Sequence, residues 1–215
     1  MTTLNRIREI AIIPVVRATS AAEALDAVEA IRAGGIPILE ITLTVPGAVQ
    51  IIGDLTKRLG DAALIGAGTV LDADSAKACI DAGARFIVSP SLDIPTIETC
   101  RKLGIPIFPG ALTPTEIVTA WKAGADAVKV FPCNAVGGAS YLKSVKAPLP
   151  QIELVPTGGV SLKTAADFLA AGAMALGVGA DLVDLAALRK GDGAAITEKA
   201  RQYVGIVAAA RAASG

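Results

Sequence analysis

Five times along 215 residues, a helix-like stretch stops at a glycine and runs straight into an apolar segment: IRAGGI (31–36), IDAGARF (80–86), RKLGIPI (101–107), WKAGADAV (121–128) and LAAGAMAL (169–176). Glycine just past a helix end accepts the left-handed conformation that stops it. A short apolar run after such a stop reads as a buried strand. The candidate strands are IIPVVR (12–17), ILEITL (38–43), LIGAGTV (64–70), RFIVSP (85–90), PIFPGAL (106–112), AVKVFP (127–132), IELVPTGG (152–159) and ALGVGAD (175–181). They recur at the spacing of a βα unit, and their number is the one that closes a (β/α)8 TIM barrel. A doubly wound open sheet is the main competitor, but no GxGxxG opens the first helix. The spacing therefore predicts one α/β barrel domain over residues 1–215, with no Ser- or Gly-rich linker dividing it. Helix starts carry capping residues at Ser20 with Glu23, Asp72, Thr113 with Glu116, and Ser161.

The chain has no histidine, which removes every histidine-based triad, acid–base pair and zinc site. Proton transfer falls to Glu, Asp, Lys, Tyr, Cys or water. Lys+Arg and Asp+Glu are equal at 20 each, which gives no reason to expect nucleic acid or an anionic membrane as a partner. Cys79, Cys100 and Cys133 are too widely spaced for a CxxC pair or a disulfide framework, as in a reducing cytosol. All three read as packing residues, Cys133 included although it lies close to Lys129 in sequence. No apolar run is long enough to span a bilayer. Arg6 and Arg8 before IAIIPVV faintly resemble a signal peptide, but Glu9 and Pro14 interrupt it and the fold uses the segment as a strand. A cytoplasmic protein is expected.

Lys129 sits inside the apolar run AVKVFP. Lysine is rarely buried without a reason. Burial disfavours the charged form of an amine, and a neutral amine condenses with ketones. A strand-end lysine that snorkels to water is the other reading. In a barrel, the active site lies at the C-terminal ends of the strands. Those ends supply Arg17, Glu40, Thr69, Ser89 with Pro90, Thr113, Lys129, Gly158 with Gly159, and Gly177 with Gly179. One carboxylate, one arginine, one lysine and two glycine-rich turns thus converge on one mouth.

The segments LEITLTVP (39–46), GAGTVL (66–71), SP (89–90), PGALTPTE (109–116), KVFP (129–132) and PTGGVS (156–161) resemble, in register, the 2-keto-3-deoxy-6-phosphogluconate / 4-hydroxy-2-oxoglutarate aldolases. The resemblance implies a class I aldolase on a TIM barrel, commonly a homotrimer. It implies no cofactor and no metal, because the intermediate is a covalent Schiff base on Lys129, with Glu40 as the acid–base carboxylate. The implied substrate is a 2-keto-3-deoxy sugar acid, such as 2-keto-3-deoxy-6-phosphogluconate, cleaved to pyruvate and an aldehyde such as glyceraldehyde 3-phosphate. The alternative reading of Glu40 is a salt bridge to Arg17 or Lys129.

Thr69, with the backbone of Gly66 to Thr69, suits the substrate carboxylate. Many members of the family carry an arginine four residues after the glutamate, where this chain has Thr44. Arg17 on the adjacent strand is expected to take that role, since a guanidinium matches a carboxylate bidentately. The other reading of Arg17 is a rim arginine paired with an acidic side chain. Pro90 and Phe131 suit apolar walls around an iminium and equally suit core packing. A phosphate would sit on the loops after the last two strands, at Gly158, Gly159 and Ser161, and at Gly177, Gly179 and Ala180. A tight turn is the simpler reading of either loop. The family often has serine where this chain has Ala180, and Asp181 would repel a dianion if it pointed inward. Cleavage of 4-hydroxy-2-oxoglutarate to pyruvate and glyoxylate is the nearest alternative. A phosphosugar isomerase or epimerase barrel, a non-catalytic phosphate-binding barrel and a metal-dependent aldolase are more remote.

Overall fold

Short apolar runs alternating with helices fold as a parallel α/β structure, described for residues 1–213 in a computed structural model. The strands are β1 (Ile12–Val16), β2 (Ile38–Thr42), β3 (Leu64–Gly68), β4 (Ile87–Val88), β5 (Ile107–Phe108), β6 (Gly110–Ala111), β7 (Val128–Val130), β8 (Leu154–Pro156) and β9 (Leu176–Val178). Every strand residue is buried, as expected of strands covered by crossover helices. A curled six-stranded sheet runs in the order β5-β4-β3-β2-β1-β9, a half-barrel, and a second sheet runs β6-β7-β8. All pairings are parallel.

All eight expected runs contain strand. The run 106–112 yields two segments because Pro109 stands between β5 and β6 and has no N–H for the ladder. Its carbonyl still accepts from Lys129 N at 2.9 Å. Beyond β8, Thr157 makes an isolated parallel bridge with Gly177 of β9. The strands are shorter than the runs. Arg17, Thr69, Pro90, Phe131 and Gly158 all fall just past a strand's C-terminal end, where side chains leave the ladder.

Two apolar clusters hold the structure together. The larger lies between sheet and helices. The smaller lines the concave side of the strands, where Ile13, Ile38, Leu64, Phe86, Phe108, Ala127 and Val155 meet Ile7 of the helix Thr3–Ile10. Alternation along a strand then fixes what stands above that layer. On β2, Ile38 is followed on the same face by Glu40 and Thr42; along β7, Ala127 is followed by Lys129 and Phe131. The concave face therefore turns from apolar to polar toward the C-terminal ends.

The helix caps at Ser20, Asp72 and Thr113 form as read, Thr113 and Glu116 as a full capping box. Ser161 differs. The following helix is Ala165–Ala170, and Ser161 opens a turn before it. Thr164 is responsible: its hydroxyl accepts from Ser161 N at 2.9 Å and donates to Gly159 O at 2.7 Å. That ties the loop on itself before the helix begins.

Candidate active site

Lys129 and Glu40 are each 1 % exposed, and Lys129 Nζ lies 4.0 Å from Glu40 Oε1. They reach each other across the concave face, Lys129 paired in register with Gly110 and Val155, Glu40 with Val15 and Gly66. Lys129 therefore does not snorkel to solvent. The separation is at the outer limit of an ion pair. Glu40 Oε1 is buried and has no hydrogen-bond partner among the described residues. Burial raises the Glu40 pKa above the ordinary carboxylate value, against the opposing pull of the Lys129 and Arg17 charges. We therefore treat the two groups as neighbours with a poised proton rather than as a tight salt bridge, because desolvation outweighs both cations.

Space for this pair is made by glycine. A Cβ on Gly68 would stand 1.9 Å from Glu40 Oε1, so no side chain fits opposite the carboxylate. Gly110, beside Lys129, lies against the Pro90 backbone, where an added Cβ would approach to 2.2 Å. That contact places Pro90 at the lysine's flank. Phe131 puts its ring centroid 5.3 Å from Lys129 Nζ, within cation–π range. Pro90 and Phe131 thus both stand beside Lys129. Cys133 is fully buried, and burial pushes its thiol up to about 11. It is a protonated packing group near neutral pH.

Thr69 follows Gly68 with φ +58°. A β-branched residue in the left-handed region is unusual, and such strain concentrates at functional sites. Its hydroxyl makes no hydrogen bond to another described residue, and it is half-buried. Arg17 is exposed and lines a cavity of about 280 Å3 with Val15, Gly179, Ala180, Val183, Asp184 and Leu185. It forms no ion pair among the described residues. Its rim-pairing reading therefore has no partner in the structure. The cavity joins Arg17 to the β9 loop rather than to Thr69. A larger groove, about 830 Å3, lies between Arg8, Met174, Val207 and Arg211. It opens beside the N-terminal end of β1, and neither it nor the smaller cavity is lined by Lys129 or Glu40, so the buried pair itself marks the candidate site.

The glycine loops separate in their reasons. Gly158 and Gly159 have φ +93° and +76° and wrap Asn134, whose side-chain atoms would lie 2.7 and 2.6 Å from their added Cβ atoms. Gly177 is inside β9, where Thr157 Oγ1 would be 2.1 Å from its Cβ. Gly179 has open space around it, and its carbonyl takes Leu182 N and Val183 N. Ser161 has its N–H and hydroxyl engaged with Thr164. Asp181 is turned toward the C-terminal helix, accepting from Tyr203 OH at 2.6 Å.

Sequence reading missed Thr42, Thr157 and Asn134. Thr42 is fully buried, donates to Val16 O at 3.0 Å and meets Thr44 Oγ1 at 2.7 Å. It ties the Thr44 position to the end of β1, next to Arg17. Its period-two relation to Glu40 was the available signal. Thr157 was visible within the PTGG segment, but its buried hydroxyl over Gly177 needed coordinates. Among the described residues no group of three or more His, Cys, Asp or Glu is placed to hold a metal, and no helix is long and apolar enough to cross a membrane.

Residues 4–199 match the family model "KDPG and KHG aldolase". The 2-dehydro-3-deoxy-phosphogluconate aldolase of Haemophilus influenzae is 35% identical over 78% of this chain and 78% of its own length. The 2-dehydro-3-deoxy-6-phosphogalactonate aldolase of Escherichia coli is 38% identical over 75% of this chain and 78% of its own. A crystal structure of a KDPG aldolase from Legionella pneumophila, with pyruvate captured as a covalent carbinolamine intermediate, superposes with a TM-score of 0.86. That pair shares 32% identity over 93% of this chain and 97% of the other.

Proposed function

The chain belongs to the KDPG and KHG aldolase family, and on that premise we propose that Lys129 and Glu40 carry out class I aldol cleavage of a 2-keto-3-deoxy sugar acid to pyruvate and an aldehyde. The observation that carries the reading is the buried pair: an amine and a carboxyl group 4.0 Å apart, with Oε1 of the latter unpartnered.

Lys129 Nζ attacks C2 of the keto acid to give a carbinolamine. Glu40, held protonated to higher pH than an ordinary carboxyl, gives a proton to the departing hydroxyl, and water leaves an iminium. The resulting Glu40 carboxylate removes the C4 hydroxyl proton, directly or through water. C4–O becomes a carbonyl, the C3–C4 bond breaks, and its electrons neutralise the iminium as an enamine. The aldehyde departs. Glu40 returns the proton to C3, and hydrolysis of the pyruvate iminium frees Lys129. One carboxyl group serves all steps, as a site without histidine requires.

Thr69 holds the C1 carboxylate beside Glu40, and Arg17, whose charge acts on Glu40 from the rim of the cavity it shares with Gly179 and Ala180, reaches it from the other side; Pro90 and Phe131 flank the iminium. Gly158, Gly159 and Ser161, with Gly177, Gly179 and Ala180, form the cradle for a distal phosphate, the Ser161 donors exchanging Thr164 for the anion. Turning Asp181 away from it supports this, as does the open space at Gly179. The two sheets are read as one eight-stranded barrel in which β5 and β6 count as a single strand interrupted at Pro109. The Lys129 N to Pro109 O bond and the Thr157–Gly177 bridge support that closure. The assembly is read as a homotrimer and the protein as cytoplasmic. No cofactor enters the scheme.

Pyruvate release from 2-keto-3-deoxy-6-phosphogluconate and from 4-hydroxy-2-oxoglutarate tests the substrate. The phosphorylated sugar acid is expected to have the higher kcat/KM. The reverse order would make the shorter dicarboxylate the substrate, and release from neither would overturn the reading. Light scattering at three times the chain mass tests the trimer.

A further inference from the structure

Tyr203 is fully buried on the helix Gly193–Ala212, and the reaction as described does not use its hydroxyl. A buried hydroxyl needs a partner. Its partner is Asp181 Oδ2, at 2.6 Å. Asp181 follows Gly179 and Ala180 on the loop after β9. Ala180 before it and Val183 after it line the cavity at Arg17; Asp181 does not. The same helix also takes the loop's second carboxylate, because Lys199 Nζ lies 3.7 Å from Asp184 Oδ2. One helix therefore contacts both carboxylates of the loop: it pairs Lys199 with Asp184, which stays in the cavity lining, and holds Asp181 outside it.

We propose that Tyr203 is a positioning residue for the distal anion: by donating to Asp181 it holds that carboxylate against the C-terminal helix and keeps a like charge out of the β9 loop. This rests on the reading of that loop as the cradle for the substrate's phosphate. A phenol donating to a carboxylate makes a short, charge-assisted bond. Burial and the adjacent carboxylate push the Tyr203 pKa up, so the phenol remains a donor throughout the working range. Without the hydroxyl, Asp181 loses its anchor, and a released carboxylate two residues from Gly179 opposes a phosphate dianion.

The test compares KM for 2-keto-3-deoxy-6-phosphogluconate with the rate of borohydride trapping in the presence of pyruvate, which carries no phosphate. Tyr203→Phe keeps the ring and removes only the hydroxyl. It is expected to raise KM about fivefold, the scale of one charge contact in a water-accessible site, with kcat and pyruvate trapping unchanged. The double variant Tyr203→Phe with Asp181→Asn removes the released charge and is expected to restore KM. An unchanged KM in Tyr203→Phe, a loss that the double variant does not restore, or an equal loss in pyruvate trapping would each overturn the proposal. Ala180→Asp separates this from the underlying reading, because it puts a carboxylate directly on the loop. If Ala180→Asp raises KM and Tyr203→Phe does not, only the role of Tyr203 falls. If Ala180→Asp leaves KM unchanged, the cradle itself is misplaced.

Discussion

Replacing Gly68 with alanine probes the packing of the proposed catalytic pair without substituting either member. The added methyl would stand 1.9 Å from Glu40 Oε1, 2.5 Å from its Cδ and 2.6 Å from its Cγ. Gly68 has no positive φ, so alanine adds no backbone strain there and the effect is steric. Ordinary carbon contacts lie at about 3.5–4.0 Å, so the carboxyl must retreat by roughly 1.6 Å from 1.9 Å. Displacements of about 1 Å in a catalytic group cost on the order of a hundredfold in rate. Overpacking a core costs about 1–3 kcal/mol, and at this chain length each kcal/mol lowers Tm by about 2–4 °C. Gly68→Ala is therefore expected to fold, to melt several degrees lower, and to release pyruvate about a hundredfold more slowly at saturating substrate. A folded variant within threefold of the wild-type kcat would refute the claim that Glu40 must occupy its observed position.

Arg17→Lys keeps the charge and loses the planar fork, and is expected to raise KM for the keto acid about tenfold with kcat little changed; an unchanged KM would remove Arg17 from carboxylate binding. Glu40→Gln is expected to lower kcat at least about a hundredfold, within the usual reach of a general acid–base group. Its stability should move the other way. The Glu40 pKa is raised from 4.5, so between 4.5 and the raised native value the folded chain binds more protons than the unfolded one. Stability of the wild type therefore falls as pH rises through that window and stays lower above it. The Tm of Glu40→Gln relative to wild type should rise from below pH 4.5 toward neutrality, and a pH-independent difference would contradict the burial argument. Gly205→Ala lies on the exposed face of the helix Gly193–Ala212 with open space around it. It is expected to add about 0.5–1 kcal/mol, read as a small rise in Tm.

The strands were legible because each carries a dense apolar run and five of those runs follow a helix-like stretch that stops at a glycine, so local signals agree with the global fold. Lys129 and Glu40 were legible for the opposite reason: each is a charged residue at a position the pattern reserves for the interior. What escaped depends on contacts between distant segments. The helix Thr3–Ile10 buries only Ile7 among its residues, too little to mark a helix in the sequence, yet it closes the concave cluster. The direction of Asp181 depends on Tyr203, which follows it by 22 residues. Ser161 has the composition of an N-cap, but Thr164 captures its N–H, and the helix starts later. The break at Pro109 was readable from its missing N–H, whereas the carbonyl that reaches Lys129 N was not.

Borohydride reduction in the presence of pyruvate, followed by peptide mass analysis, tests the central claim most directly. A reduced pyruvate adduct is expected on the peptide that contains Lys129, and none in Lys129→Ala. An adduct on another lysine, or trapping that survives in Lys129→Ala, would contradict it.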